Sequence, residues 1–294
     1  MTHPLIELGG SGPVVLLAPA NGFPPETYLP ALAPLLAGHR VVSLPPRAMW
    51  PDAGPPPDGA GTWLTLGEDL LAGIKQHSLP PLIAVGHSFG AVASLLAAVQ
   101  EPECFRGLAL LDPTILPPPI MDQLREQRRL GEMSFRPLVQ GALKRRDRFS
   151  NESEAFSYWR GKPLFADWPD DAVRRYTRAM LGPTGEGDFT LTWPSAWEAH
   201  YYQSFYTESW SAVDRLDRSI PVLLVGGAES DTLLPDAIAL LREKLPQARH
   251  VTIPGYGHLF PHAAAEQTGR ILQEWVGEVS GNRGAGSGKP LLGY

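Results

Sequence analysis

The pentapeptide Gly86-His87-Ser88-Phe89-Gly90 sets a serine hydroxyl between two glycines. It fits the pattern Gly-x-Ser-x-Gly, which chance alone supplies in roughly one chain in five of this length. Its flanks carry more weight. "PLIAV" (81–85) has the composition of a buried strand, and "AVASLLAAV" (91–99) that of a buried helix. A strand that runs into a helix through a sharp turn lifts the serine Oγ clear of the sheet edge. The small residues Gly86, Gly90 and Ala91 let such a turn pack closely against its neighbours. The helix N-terminus then aims free N–H groups and its positive dipole end at the same spot. The plainer alternative is a turn in which Ser88 only caps the helix.

A serine hydroxyl is a poor nucleophile at neutral pH. It needs a base within hydrogen-bond reach, and the base needs an orienting carboxylate. Behind a strand–elbow–helix unit the chain order is Ser, acid, His. "PVLLVGGAESDTLLP" (221–235) puts Asp231 just past an apolar run, and "HVTIPGYGHLFPH" (250–262) puts His258 just past the last one. Ser88, Asp231 and His258 are therefore the expected triad.

The elements that must position these groups are legible as an alternation. Short apolar runs occur at 14–18, 40–44, 81–86, 108–112, 221–227 and 250–255. They are nearly continuous in hydrophobicity, as strands covered on both faces are. Helical patterns lie at 29–38, 66–77, 91–100, 235–245 and 264–279. This predicts a doubly wound, mostly parallel α/β sheet, with "IEL" (6–8) as a short antiparallel strand at the start. The alternation stops between about Thr114 and Asp214. That stretch reads as helices and loops and holds 16 of the 26 aromatic residues. The expected organisation is a core of residues 1–113 and 215–279, a helical lid subdomain of 114–214 and a Gly/Ser-rich flexible tail of 280–294. Within the lid, "WPSAWEAHYYQSFY" (193–206) is too dense in rings for all of them to point inward. Trp197, His200 and Tyr201 are candidate substrate contacts, as is Trp50 from the Pro-rich loop 45–63. "KRRDR" (144–148), surrounded by acidic residues, reads as a solvated face.

These features resemble the α/β-hydrolase superfamily, specifically its lid-bearing serine hydrolases. "GHSFG", an acid in the loop ahead of "LLP" and "GYGH" near the end carry the likeness, which covers about residues 5–279. It implies the α/β-hydrolase fold with a helical lid inserted after the sixth strand. It implies Ser88 as nucleophile, His258 as general base and acid, and Asp231 as its orienter. An oxyanion hole would come from the N–H groups of Phe23 and Phe89. Two departures stand out. The chain reads Asn21-Gly22 where many members read His-Gly, and Asp231 lies one residue further from Gly227 than is usual. Glu229 is therefore a rival acid, and so is Asp112 in "LLDPT", because some members place the acid there. The likeness implies ester hydrolysis without metal or organic cofactor, and the aromatic lid suggests an apolar acyl or alcohol portion of small to medium size. Carbon–carbon, thioester and perhydrolase chemistry use the same triad, and some receptors retain it without catalysis.

Composition narrows the classes further. Twenty-five Lys and Arg face 31 Asp and Glu, a net charge that speaks against a nucleic-acid or membrane-surface partner. One cysteine, Cys104, excludes an intrachain disulfide. No apolar run reaches the roughly 18 residues of a membrane span, and the first ten residues lack the pattern of a signal peptide. A cytoplasmic protein is expected. His87 reads as structural. His258 and His262 are four residues apart, but Pro261 lies between them and no acidic or cysteine partner accompanies them, so no metal site is expected. "GSGK" (286–289) in the tail has the wrong spacing for a phosphate loop.

Overall fold

The computed structural model describes residues 2–57, 63–132 and 135–281. Its strands are β1 (Ile6–Gly9), β2 (Val14–Ala18), β3 (Arg40–Ser43), β4 (Leu82–His87), β5 (Phe105–Leu111), β6 (Arg148–Phe149), β7 (Leu181–Pro183), β8 (Phe189–Leu191), β9 (Val222–Gly227) and β10 (Arg249–Ile253). Its helices are α1 (Leu29–Leu32), α2 (Leu64–Gln76), α3 (Phe89–Gln100), α4 (Pro118–Arg129), α5 (Arg136–Leu143), α6 (Glu152–Arg160), α7 (Asp170–Met180), α8 (Ser195–Gln203), α9 (Ser209–Arg215), α10 (Pro235–Lys244), α11 (Phe260–Ala263) and α12 (Ala265–Val279).

Seven strands form one sheet in the order β1-β3-β2-β4-β5-β9-β10. Only β1 is antiparallel, paired with β3 at the edge. The parallel strands β2, β4 and β9 are buried at every position, which explains their unbroken apolar sequences. The chain leaves β2 for β3 in one direction, then returns across the sheet to β4, β5, β9 and β10. Because parallel crossovers are right-handed, the reversal puts α1 on one face and α2, α3 and α10 on the other. The point of reversal lies between β2 and β4. A ligand site is expected outside the carboxyl ends of the strands there.

Three expectations change. The predicted helix at 29–38 is one turn, α1, followed by a 3-10 turn at Ala33–Leu35, because Pro30 and Pro34 bring no N–H donors. The inserted segment follows the fifth strand in chain order rather than the sixth. It is also not helices and loops alone. β6, β8 and β7 form a three-stranded antiparallel sheet within it. Residues 282–294 of the expected tail lie outside the described residues, as do 58–62 of the Pro-rich loop. No helix among the described residues is long and apolar enough to cross a membrane.

Candidate active site

The turn between β4 and α3 holds Ser88 at φ 57° and ψ −121°, a left-handed backbone that a residue other than glycine adopts only when its surroundings compel it. The two flanking glycines are required by close approach. A Cβ on Gly86 would lie 2.5 Å from the Cα of Ala91. One on Gly90 would lie 2.2 Å from the carbonyl oxygen of Ala18 and 2.5 Å from that of Pro19. Gly90 thus lets the elbow press against the exit of β2. Gly90→Ala is expected to destabilise the protein by about 3 kcal/mol, since only backbone movement can make room for the methyl. An unchanged urea midpoint would contradict this contact.

His258, in the loop between β10 and α11, brings Nε2 to 3.0 Å from Ser88 Oγ. Its Nδ1 lies 2.7 Å from Oδ1 of Asp112. Asp112 is the residue after β5 and is fully buried. Its Oδ1 also accepts the Ser230 hydroxyl at 2.6 Å, and its Oδ2 accepts the Gly227 N–H at 2.9 Å. An ionised carboxylate only accepts, so it fixes the proton of His258 on Nδ1. Nε2 is left with a lone pair for the Ser88 hydroxyl. Thr114 Oγ1 lies 3.1 Å from Ser88 Oγ. With the Ser88 proton aimed at His258, Thr114 is the donor in that contact.

Asp112, not Asp231, is therefore the carboxylate on His258. The loop after β9 explains the difference. Ala228 N–H is held by Ile253 O, Glu229 N–H by Tyr256 O and Ser230 N–H by Gly227 O. This tight turn points Ser230 inward and leaves Glu229 and Asp231 exposed. Among the described residues Asp231 accepts only from the Thr232 hydroxyl. Where an acid on this loop would reach, Ser230 reaches instead and braces Asp112.

Of the two expected oxyanion donors, one is engaged within its own turn. Phe23 N–H is engaged by Ala20 O at 3.1 Å, closing a turn through Gly22 at φ +83°. The N–H groups of Asn21 and Phe89 find no hydrogen-bond partner among the described residues. Both residues line the Ser88 cavity, as does Phe23. Behind this turn runs an ordered chain of hydrogen bonds. Ala20 N–H donates to the Tyr28 hydroxyl (2.9 Å), which donates to His87 Nδ1 (2.7 Å). His87 Nε2–H donates to the carbonyl of His258 (3.0 Å). His87 is structural, as expected. Burial, helped by the neighbouring His258 and His262, holds its pKa well below the ordinary histidine value.

The cavity over Ser88 has a volume of about 320 Å³. Leu116, Phe135 and Phe205 give it apolar walls, and Leu138 and Leu164 are exposed apolar residues at its rim. Trp197, His200, Tyr201 and Trp50 do not line it. Tyr201 OH accepts from Ala48 N–H, Trp197 Nε1 donates to Gly54 O and Trp50 Nε1 to Pro45 O. Tyr201 and Trp197 thus pin the Pro-rich loop to α8, while the Trp50 bond lies within the loop. The part of α8 turned to the cavity carries Glu198 and Tyr202 instead. Arg145 also departs from expectation. It leaves the solvated face of "KRRDR" and pairs with Glu198 at 2.5 Å, their side chains 17% and 4% exposed. Burial pushes the Glu198 carboxyl up, against the pull of Arg145. Burial works against the Arg145 charge too, and neighbouring Tyr176 and Glu198 outweigh it. No cluster of three or more His, Cys, Asp or Glu among the described residues could hold a metal ion.

The sequence profile of the α/β-hydrolase fold family matches residues 13–263. The chain belongs to that family. Among curated relatives of this α/β-hydrolase, RutD of Klebsiella pneumoniae carries the provisional name of a carbamate hydrolase. It is 24% identical over 89% of this chain and 90% of its own. Among solved structures, E-2-(acetamidomethylene)succinate hydrolase superposes with a TM-score of 0.72 at 20% identity, covering 92% of this chain and 94% of that one. A Mycobacterium tuberculosis esterase gives 0.69 at 20% identity, over 94% and 88%. At these identities the superpositions establish the fold alone. Family membership and the relatives' names support a hydrolase.

Proposed function

We propose that the protein cleaves an ester through an acyl-enzyme on Ser88. The observation that carries this reading is the unbroken line Asp112–His258–Ser88 at 2.7 and 3.0 Å. Ser88 Oγ attacks the ester carbonyl carbon as its proton passes to His258 Nε2. Asn21 and Phe89 N–H groups hold the resulting oxyanion, each such donor being worth about 3 kcal/mol of barrier. The tetrahedral intermediate expels the alcohol, which takes the proton from His258. Water then loses a proton to His258 and attacks the acyl carbon, and Ser88 recovers its proton as the acid leaves. The apolar walls favour an apolar acyl or alcohol portion of small to medium size, and the segment 114–214 acts as the lid that supplies most of them. A carbamate or amide bond is the second reading, favoured by the names of the relatives. The test is a fluorophosphonate probe with turnover of short 4-nitrophenyl esters. One probe per protein on Ser88, with turnover, is expected. Absence of both in folded protein would favour a non-catalytic ligand receptor.

A further inference from the structure

Three buried polar groups on the cavity wall have no part in the triad or in holding an oxyanion. Asn21 Oδ1, Arg145 Nη1 and Glu198 Oε2 find no hydrogen-bond partner among the described residues. Asn21 Nδ2, Arg145 Nη2 and Glu198 Oε1 are engaged. Asn21 Nδ2 donates to the Glu198 carbonyl at 3.0 Å and Arg145 Nη2 to Glu198 Oε1 at 2.5 Å. The Glu198 carboxyl also lies flat on the turn after β2, where a Cβ on Gly22 would meet its Cδ at 3.3 Å. The Tyr176 hydroxyl approaches the guanidinium without closing a hydrogen bond to Nη1 and donates to Gly22 O instead. Asn21 and Glu198 are more than nine-tenths buried, and all three residues line the cavity that holds Ser88.

Leaving buried polar atoms unpaired is costly, so their inventory describes what they would pair with. It consists of one donor nitrogen and two acceptor oxygens. The wall is neutral, because the Arg145 cation faces the Glu198 anion. A carboxylate would meet two acceptors, an ammonium would meet the guanidinium, and an alkyl group would leave all three atoms unpaired. A carbamoyl group, the –CO–NH₂ end of a primary amide or a urea, offers one acceptor and two donors. We infer that Asn21, Arg145 and Glu198 form a subsite for an uncharged carbamoyl group of the substrate, reached across the apolar part of the cavity. Arg145 Nη1–H donates to the carbamoyl oxygen, and the two N–H bonds go to Glu198 Oε2 and Asn21 Oδ1. The inference rests on the reading of Ser88 as the nucleophile.

The test compares 4-nitrophenyl esters whose acyl chains, three to five methylenes long, end in carbamoyl, acetyl or carboxylate. Acetyl differs from carbamoyl only by CH₃ in place of NH₂. At the best chain length the carbamoyl ester is expected to exceed both others in kcat/KM by at least tenfold. Glu198→Gln and Arg145→Met should each cut the carbamoyl-to-acetyl ratio at least fivefold. A wild-type ratio at or below one for every length, or a ratio that moves in neither variant, overturns the subsite. The wild-type comparison stands even where a variant fails to fold. A second arm avoids turnover, measuring hexanamide and 2-heptanone binding to Ser88→Ala protein by thermal shift. Preference for hexanamide without ester turnover in wild type would keep the subsite and reject the nucleophile reading. Turnover with no preference in either arm would reject the subsite alone.

Discussion

Asp112→Asn is expected to lower kcat for a short 4-nitrophenyl ester by about 10⁴-fold, the loss seen when a triad acid becomes an amide. Asp231→Asn and Glu229→Gln should lower kcat far less, since both side chains are exposed and His258 Nδ1 bonds to Asp112 rather than to either, although Asp231 borders the cavity. The difference follows from the donors around Asp112. Gly227 N–H, the Ser230 hydroxyl and His258 Nδ1–H all point at its carboxylate. An amide offers one acceptor oxygen, and its NH₂ must face a group that was donating. His258 then moves its proton to Nε2, where it can no longer accept from Ser88. Circular dichroism would separate this effect from unfolding. A large loss in Asp231→Asn with little in Asp112→Asn would return the acid to the loop after β9.

The second large effect is acid instability. His87 and His262 are both fully buried. Burial holds His262 down at about 3 and His87 well below its ordinary value. In the unfolded chain both titrate near 6.5. Their contribution is complete above that pH. Below it the unfolded state takes up protons that the folded state refuses, so stability falls as pH falls. The slope is about 1.4 kcal/mol per pH unit for each histidine. Between pH 6.5 and 4.5 His262 alone removes about 2.5 kcal/mol, a large part of the stability of a modest domain, and His87 adds to the fall in the same direction. Urea unfolding at pH 7.5, 5.5 and 4.5 reads this directly. His262→Phe keeps a ring between Phe23 and Trp168, which stack on it at 5.2 and 4.6 Å, and should flatten the loss of stability toward low pH. A midpoint constant from pH 7.5 to 4.5 would refute the assignment.

The sheet and the pairing of Ser88 with His258 were legible because they depend on order and continuity. Unbroken apolar runs mark β2, β4 and β9, and the glycines around Ser88 mark a turn that needs close approach. Asp231 misled because spacing identifies a loop, while the carboxylate that reaches His258 depends on how that loop turns. Three backbone hydrogen bonds decided for Ser230 and Asp112. Phe23 is a similar case. The turn closes from Ala20 to Phe23, so the free donor precedes Gly22 rather than following it. On α8 aromatic residues surround the helix, and periodicity could not separate Trp197 and Tyr201 from Glu198 and Tyr202. Arg145 sat in a charge run whose members look alike in sequence. Only its partner on α8, 53 residues away, draws it inward.

Placing the acid on β5 has a consequence for the order in which the chemistry is armed. Ser88 and Asp112 each follow the end of one of two adjacent strands, at the paired positions His87 and Leu111. A single β–α–β unit therefore carries both the nucleophile and the acid. His258 comes from 146 residues beyond Asp112. A nascent chain holds both groups long before the ribosome has made the base. Until the segment after β10 emerges and docks, the serine has no proton acceptor, and the growing protein carries its nucleophile unarmed.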